Sequence, residues 1–213
     1  MFFRKGSSKV VTRPKTAQDS KEFLSEPQVS QFVVEGSFKL VVNCPDYLDQ
    51  EEWIVSHIFD FYSHTMLFYD VVSDICTTKE CPSLNAGDDE YLWIDVQKKT
   101  PIKASAPEHI QLASTWIQKQ FDDELIFPTK YGAQFHKETL SICKLIIKSI
   151  IRILSHIYYS HYNRILTSNT EAHLNSLMAH VVCFSTEFDM LDTKELVPMK
   201  ELLEEFSKKG MMT

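Results

Sequence analysis

The chain has 213 residues, with 22 basic against 29 acidic side chains and a formal net charge of −7. Hydrophobic residues make up 44% and glycine occupies only five positions, which excludes collagen-like and disordered classes and predicts a packed body of one large domain or two small ones. The charge is uneven: Arg4, Lys5, Lys9, Arg13 and Lys15 fall in the first 16 residues with no acid, so residues 17–213 stand at −12, a body that repels nucleic acid and anionic membrane and suits a basic protein partner.

Residues 1–20 read as a flexible basic tail, and a domain is expected over 21–213. "MFF" is too short for a signal peptide and its cations follow on the wrong side. "LIIKSIIRIL" at 145–154 is broken by Lys148 and Arg152 and is too short for a transmembrane segment. Five cysteines without an export signal predict a reducing, intracellular setting.

"PDYLDQEEW" reads as a helix start, with Asp49 as cap and Glu52 completing a capping box. Behind it, Trp53, Ile54, Ile58, Phe61, Tyr62, Met66, Tyr69 and Val72 recur at helical spacing and carry the chain to Cys76. "EYLWIDVQKKTPIKASAP" alternates about a polar turn and predicts a small hairpin. Pro107 opens a helix facing inward through Ile110, Ala113, Ile117 and Phe121, and "DDELIFPTKYGAQF" reads as a loop. From Thr139 to Thr167 the chain is apolar on most sides, the mark of a central helix. Helices over Thr170–Phe188 and Lys194–Ser207 follow, the last closed by Gly210. The class is mainly α: a single-domain helical bundle with a small β-hairpin.

Two thiols at Cys76 and Cys81 fall within zinc-ligand spacing, although buried cysteine is often just a small hydrophobe. His156 and His161 repeat that spacing, but on a regular helix they are about 140° apart, against about 40° for an i, i+4 pair. Both reach one ion only if a bulge, a helix end or a long reach allows it. His57, His64, His109, His136, His173 and His180 compete for the role. If the four meet, the site is closed and structural, because a catalytic zinc keeps one position for water.

Other chemistry is missing. The glycines are too scattered for a phosphate loop, and there is no nucleophile elbow or kinase signature. Asp122 and Asp123 read as an exposed helix end, and Cys143 and Cys183 as core. The chain does not read as an enzyme; its alternative is a zinc hydrolase using Cys76, Cys81 and one histidine around an open metal site. What remains is acidic surface: Asp49, Glu51 and Glu52 at a helix start, where the helix dipole also favours them, and Asp88, Asp89 and Glu90 in a later loop.

The strings "ECPSLNAG", "EYLWID", "FPTKYGAQF", "RILSHIYYSHY", "EAHLNS" and "EFDMLDTKEL" resemble the MOB (Mps-one-binder) family of kinase activators, in the family's order and over about residues 22–206. "FLSEPQVSQFVVEGSFKLVV" further resembles the Mob-two branch. The resemblance implies one structural Zn2+ held by Cys76, Cys81, His156 and His161. It also implies a non-catalytic, cytoplasmic and nuclear adaptor, acting at sites of polarised growth in polarity, morphogenesis or cell-cycle signalling. Such a subunit is a monomer that forms a heterodimer with the N-terminal basic helices of an NDR/LATS-type serine/threonine kinase and activates it allosterically. Asp49, Glu51 and Glu52 would then belong to the kinase-binding face, and Trp53 would be a core anchor. Members that read phosphopeptides carry a basic trio; here Lys148 and Arg152 match as a residual phosphate-binding pair, but Ser149 takes the middle place. No threonine near residues 30–36 matches the activating phosphosite of the Mob-one branch.

Overall fold

The computed structural model describes residues 21–94, 100–130 and 132–212. The basic head and the 95–99 turn of the expected hairpin lie outside the described residues. Among these residues the order is α1 (Phe38–Val41), α2 (Gln50–Val72), β1 (Leu84–Ala86), β2 (Asp89–Tyr91), β3 (Trp93–Ile94), β4 (Pro101–Ile102), α3 (Ala106–Phe121), α4 (Thr139–Thr167), α5 (Glu171–Glu187) and α6 (Lys200–Lys208), with short 3₁₀ turns before α1 and before α6.

Helix α4 is the axis of the bundle. Ile146, Ile147, Ile150, Ile151, Leu154 and Ile157 are completely buried, and α2, α3, α5 and β1 all pack on it. Its span matches the apolar stretch that the sequence predicts. Cys143 and Cys183 lie in the core, as expected.

Local chemistry sets the ends of the helices. The Asp49 carboxylate accepts from the backbone N–H groups of Glu51 at 2.9 Å and Glu52 at 3.1 Å, filling free donors of the first turn of α2. The return bond expected from Glu52 is absent among the described residues. That contact forms instead at α3, where the Glu108 carboxylate accepts from Ser105 N at 3.0 Å. Three helices close in the same way. Asn169, Asp189 and Gly210 take left-handed φ of 52°, 50° and 77°. The following amides then fold back, Thr170 to Ile165 O, Met190 to Ser185 O and Met211 to Phe206 O.

Two expectations are corrected. The predicted helix Lys194–Ser207 is in fact a 3₁₀ segment, Thr193–Met199, followed by α6, because Pro198 lacks the N–H and disfavours α geometry in the residue before it. The single hairpin is in fact two: β3 pairs with β4 as expected, while β1 pairs antiparallel with β2, Asn85 opposite Glu90. Gly87 turns this extra hairpin at φ +61°, and its missing Cβ would lie 3.1 Å from the Tyr159 ring. Near the other end of the described chain, the Met211 carbonyl accepts from Phe38 N at 2.8 Å, tying α1 to the turn after α6.

Candidate metal centre and interaction surface

Cys76 follows the end of α2, its amide bonded back to Val72 O at 2.9 Å. Cys81 is fixed on both sides, its N–H on Thr77 O and its carbonyl accepting from Ala106 N at the start of α3. His156 and His161 project from the middle of α4. The four side chains are buried, and one ligand atom from each lies within 4.8 Å of all the others. His156 Nε2 is 3.6 Å from Cys76 Sγ, and His161 Nε2 is 3.5 Å from Cys81 Sγ.

The 140° separation is overcome by reach. Helix α4 is unbroken here, and both imidazoles extend to the cluster through Nε2, the outer ring atom, with ring centroids 5.1 Å apart. The two thiols share their protons unequally. A hydrogen bond from Cys76, then the two histidines, holds the Cys81 thiol far below its usual range; the bond to Cys81 and burial push Cys76 far up. A divalent cation at the centre would replace the remaining proton and neutralise both thiolates. The open hydrolase site would need one of the four turned away, and none is.

Lys148 and Arg152, the pair expected to bind phosphate, are engaged internally. Lys148 Nζ lies 2.7 Å from Glu195 Oε1, and Arg152 binds the same carboxylate through Nε at 2.8 Å and Nη2 at 3.0 Å. Arg152 also lies over the Tyr91 ring, 4.7 Å from its centroid. Burial pushes the Glu195 carboxyl up, and the bonds from Arg152 and Lys148 more than offset it, so it stays below the usual carboxylate range. The neighbouring cleft, about 370 Å³, also holds Lys144, which is paired with Asp189 at 3.0 Å.

Asp49, Glu51 and Glu52 are exposed at the start of α2. Trp53 is half-buried against the core and donates Nε1–H to Val42 O at 3.0 Å. Asp122 and Asp123 are exposed at the end of α3. Sequence reasoning missed an apolar cleft of about 450 Å³ between α1, the second half of α2 and α5. Val33, Val34, Phe38, His64, Leu67 and Phe68 are among its lining residues, and Leu67 is 62% exposed. The available signal was Leu67 itself, an apolar residue off the buried stripe of α2. Asp60, also exposed and also missed, lies two turns before Leu67 on the same face. Glu52 is about 80° from Asp60 around the helix and Glu51 about 180°.

The model of the Mob1/phocein family matches residues 30–199. The chain belongs to the Mob1/phocein family. Among curated proteins, this Mob chain is 35% identical over 98% of its length to the fission yeast "Maintenance of ploidy protein mob2" (Schizosaccharomyces pombe), covering 86% of that protein. It is 39% identical over 88% of its length to the "CBK1 kinase activator protein MOB2" of Saccharomyces cerevisiae, spanning 66% of it, and 36% identical over 98% to the Candida albicans protein of the same name, spanning 67%. These relatives agree with the Mob-two resemblance. Two of their names describe activators of a kinase rather than enzymes, in line with the expectation of a non-catalytic Mob chain.

Proposed function

We propose that this Mob protein is a zinc-stabilised adaptor that binds the N-terminal regulatory region of an NDR-type kinase and activates it allosterically, in polarity or morphogenesis signalling. Its partner is one kinase molecule, and the active unit is the heterodimer. The relatives named as CBK1 kinase activators support the class of partner.

The zinc identity rests on the donor set and its spacing. Tetrahedral zinc with bonds of about 2.3 Å to sulfur and about 2.0–2.1 Å to nitrogen has S···N edges of about 3.6 Å. The two S···N distances, 3.6 and 3.5 Å, match that edge. Zinc there joins the end of α2 to the centre of α4.

One observation carries the binding reading: α2 presents Asp60 in line with Leu67 and the apolar cleft, with Glu52 about 60° round the helix from Leu67. Glu52 and Leu67 are 15 residues apart, about 22 Å along the axis. That stripe suits a basic amphipathic helix, whose cations meet the acids while its apolar face enters the cleft. Ordering a segment of the kinase that is misplaced when free is how the adaptor would activate it.

The test is binding of the purified kinase by Glu51→Lys/Glu52→Lys and Glu52→Lys/Asp60→Lys. Both pairs should weaken binding, the second pair more, and wild-type affinity should fall as salt rises. Wild-type affinity in the second pair would remove this surface. Binding without a rise in kinase activity would leave a scaffold and not an activator.

A further inference from the structure

Three α4 residues, Arg152, His156 and Tyr159, lie on one side of the helix at i, i+4 and i+7. The β1–β2 hairpin is laid along that stripe. Tyr91 at the end of β2 lies under the Arg152 guanidinium. Asn85 at the middle of β1 turns its main-chain carbonyl to His156 Nδ1 at 3.0 Å. Gly87 at the turn lies against the Tyr159 ring, where a Cβ would be 3.1 Å away. Leu84 and Ala86, on either side of Asn85, are buried, so the carbonyl cannot slide along the helix without exposing them.

An imidazole that binds metal through Nε2 carries its proton on Nδ1, and a fixed acceptor at Nδ1 holds both the tautomer and the ring plane. The only other group near His156 Nδ1 among the described contacts is Ser160 Oγ, at 3.3 Å. We infer that Asn85, through its main-chain carbonyl, is the positioning residue of the metal centre, and that Gly87 keeps the hairpin seated. A Cβ 3.1 Å from the Tyr159 ring would make the ring or the hairpin give by a few tenths of an ångström, and a branched side chain would make it give by more. The inference rests on the metal reading above. It makes the two histidines unequal: the hairpin orients His156, whereas His161 has no described contact of this kind.

The test compares Gly87→Val with Gly36→Val in the full-length protein. Both glycines have positive φ, but Gly36, at +91°, faces open space. Zinc affinity is measured by competition with a chromophoric chelator, and ligand geometry by the visible spectrum of the Co2+-loaded protein. Gly87→Val should lose ten- to a hundred-fold in metal affinity, the usual effect of removing an outer partner, with a shifted Co2+ spectrum; Gly36→Val should bind as wild type. Nitrogen NMR of the zinc-loaded wild type should place the His156 proton on Nδ1. Unaltered affinity in Gly87→Val, or a proton on Nε2 of His156, overturns the inference alone. A wild type that takes up no metal defeats the metal reading and this inference with it.

Discussion

His180 stacks on Phe38 with centroids 5.5 Å apart and meets Phe61 edge-on at 4.8 Å, at the floor of the apolar cleft. Its Nε2 is buried with no hydrogen-bond partner among the described residues, and burial, then His57 and His64, lower its pKa to about 4 from 6.5. Between pH 6.5 and 4 the unfolded chain takes up a proton that the folded chain refuses. Stability therefore falls as pH drops through that window, and the effect vanishes above it. Urea titrations of wild type and His180→Gln across this range should show a shallower decline in the variant; equal slopes would mean that His180 does not carry the effect. His109, lowered to about 4 chiefly by burial, adds a decline of the same sign that the substitution leaves in place.

The 3₁₀ segment before α6 is held to α4 by one carboxylate gripped by two cations. Glu195 and Arg152 side chains are 13% and 19% exposed, Lys148 39%. Glu195→Gln leaves both cations without a counter-charge. The loss should be below the roughly 3–5 kcal/mol of a fully buried pair, on the order of 2 kcal/mol. The same variant should take up inorganic phosphate more tightly than wild type. A wild-type denaturation midpoint together with unchanged phosphate binding would show that Glu195 neither anchors the segment nor blocks the site. Of the elements, α4 and the start of α2 were legible because long apolar periodicity and a capping carboxylate act locally. The β1–β2 hairpin was not: its strands have three residues each, two of those in β2 being the acids Asp89 and Glu90, and its turn at Gly87 packs against Tyr159 far along the chain. The four candidate metal-ligand positions follow from spacing and family likeness, but their convergence depends on how far an imidazole reaches around a helix, which spacing does not give. The cleft was hidden because its walls come from three separate segments.

At the scale of the whole molecule, the four-residue cluster brings together parts 80 residues apart along the chain: the segment between α2 and α3, and helix α4. Zinc binding to finger peptides contributes roughly 10–16 kcal/mol, against roughly 5–15 kcal/mol for the stability of a whole domain. Chelation, or His161→Ala, should therefore release metal and lower Tm together, by tens of degrees, as followed by metal analysis and calorimetry on one sample. A metal-free protein that melts with the holo form would show that the bundle stands without the ion. The bond between Met211 and Phe38 has an effect of its own. Phe38 is a wall of the cleft, so the turn after α6 braces the doorway that we propose for the partner. Trimming or tagging beside Met211 would reshape that doorway from behind, without altering any side chain that lines it.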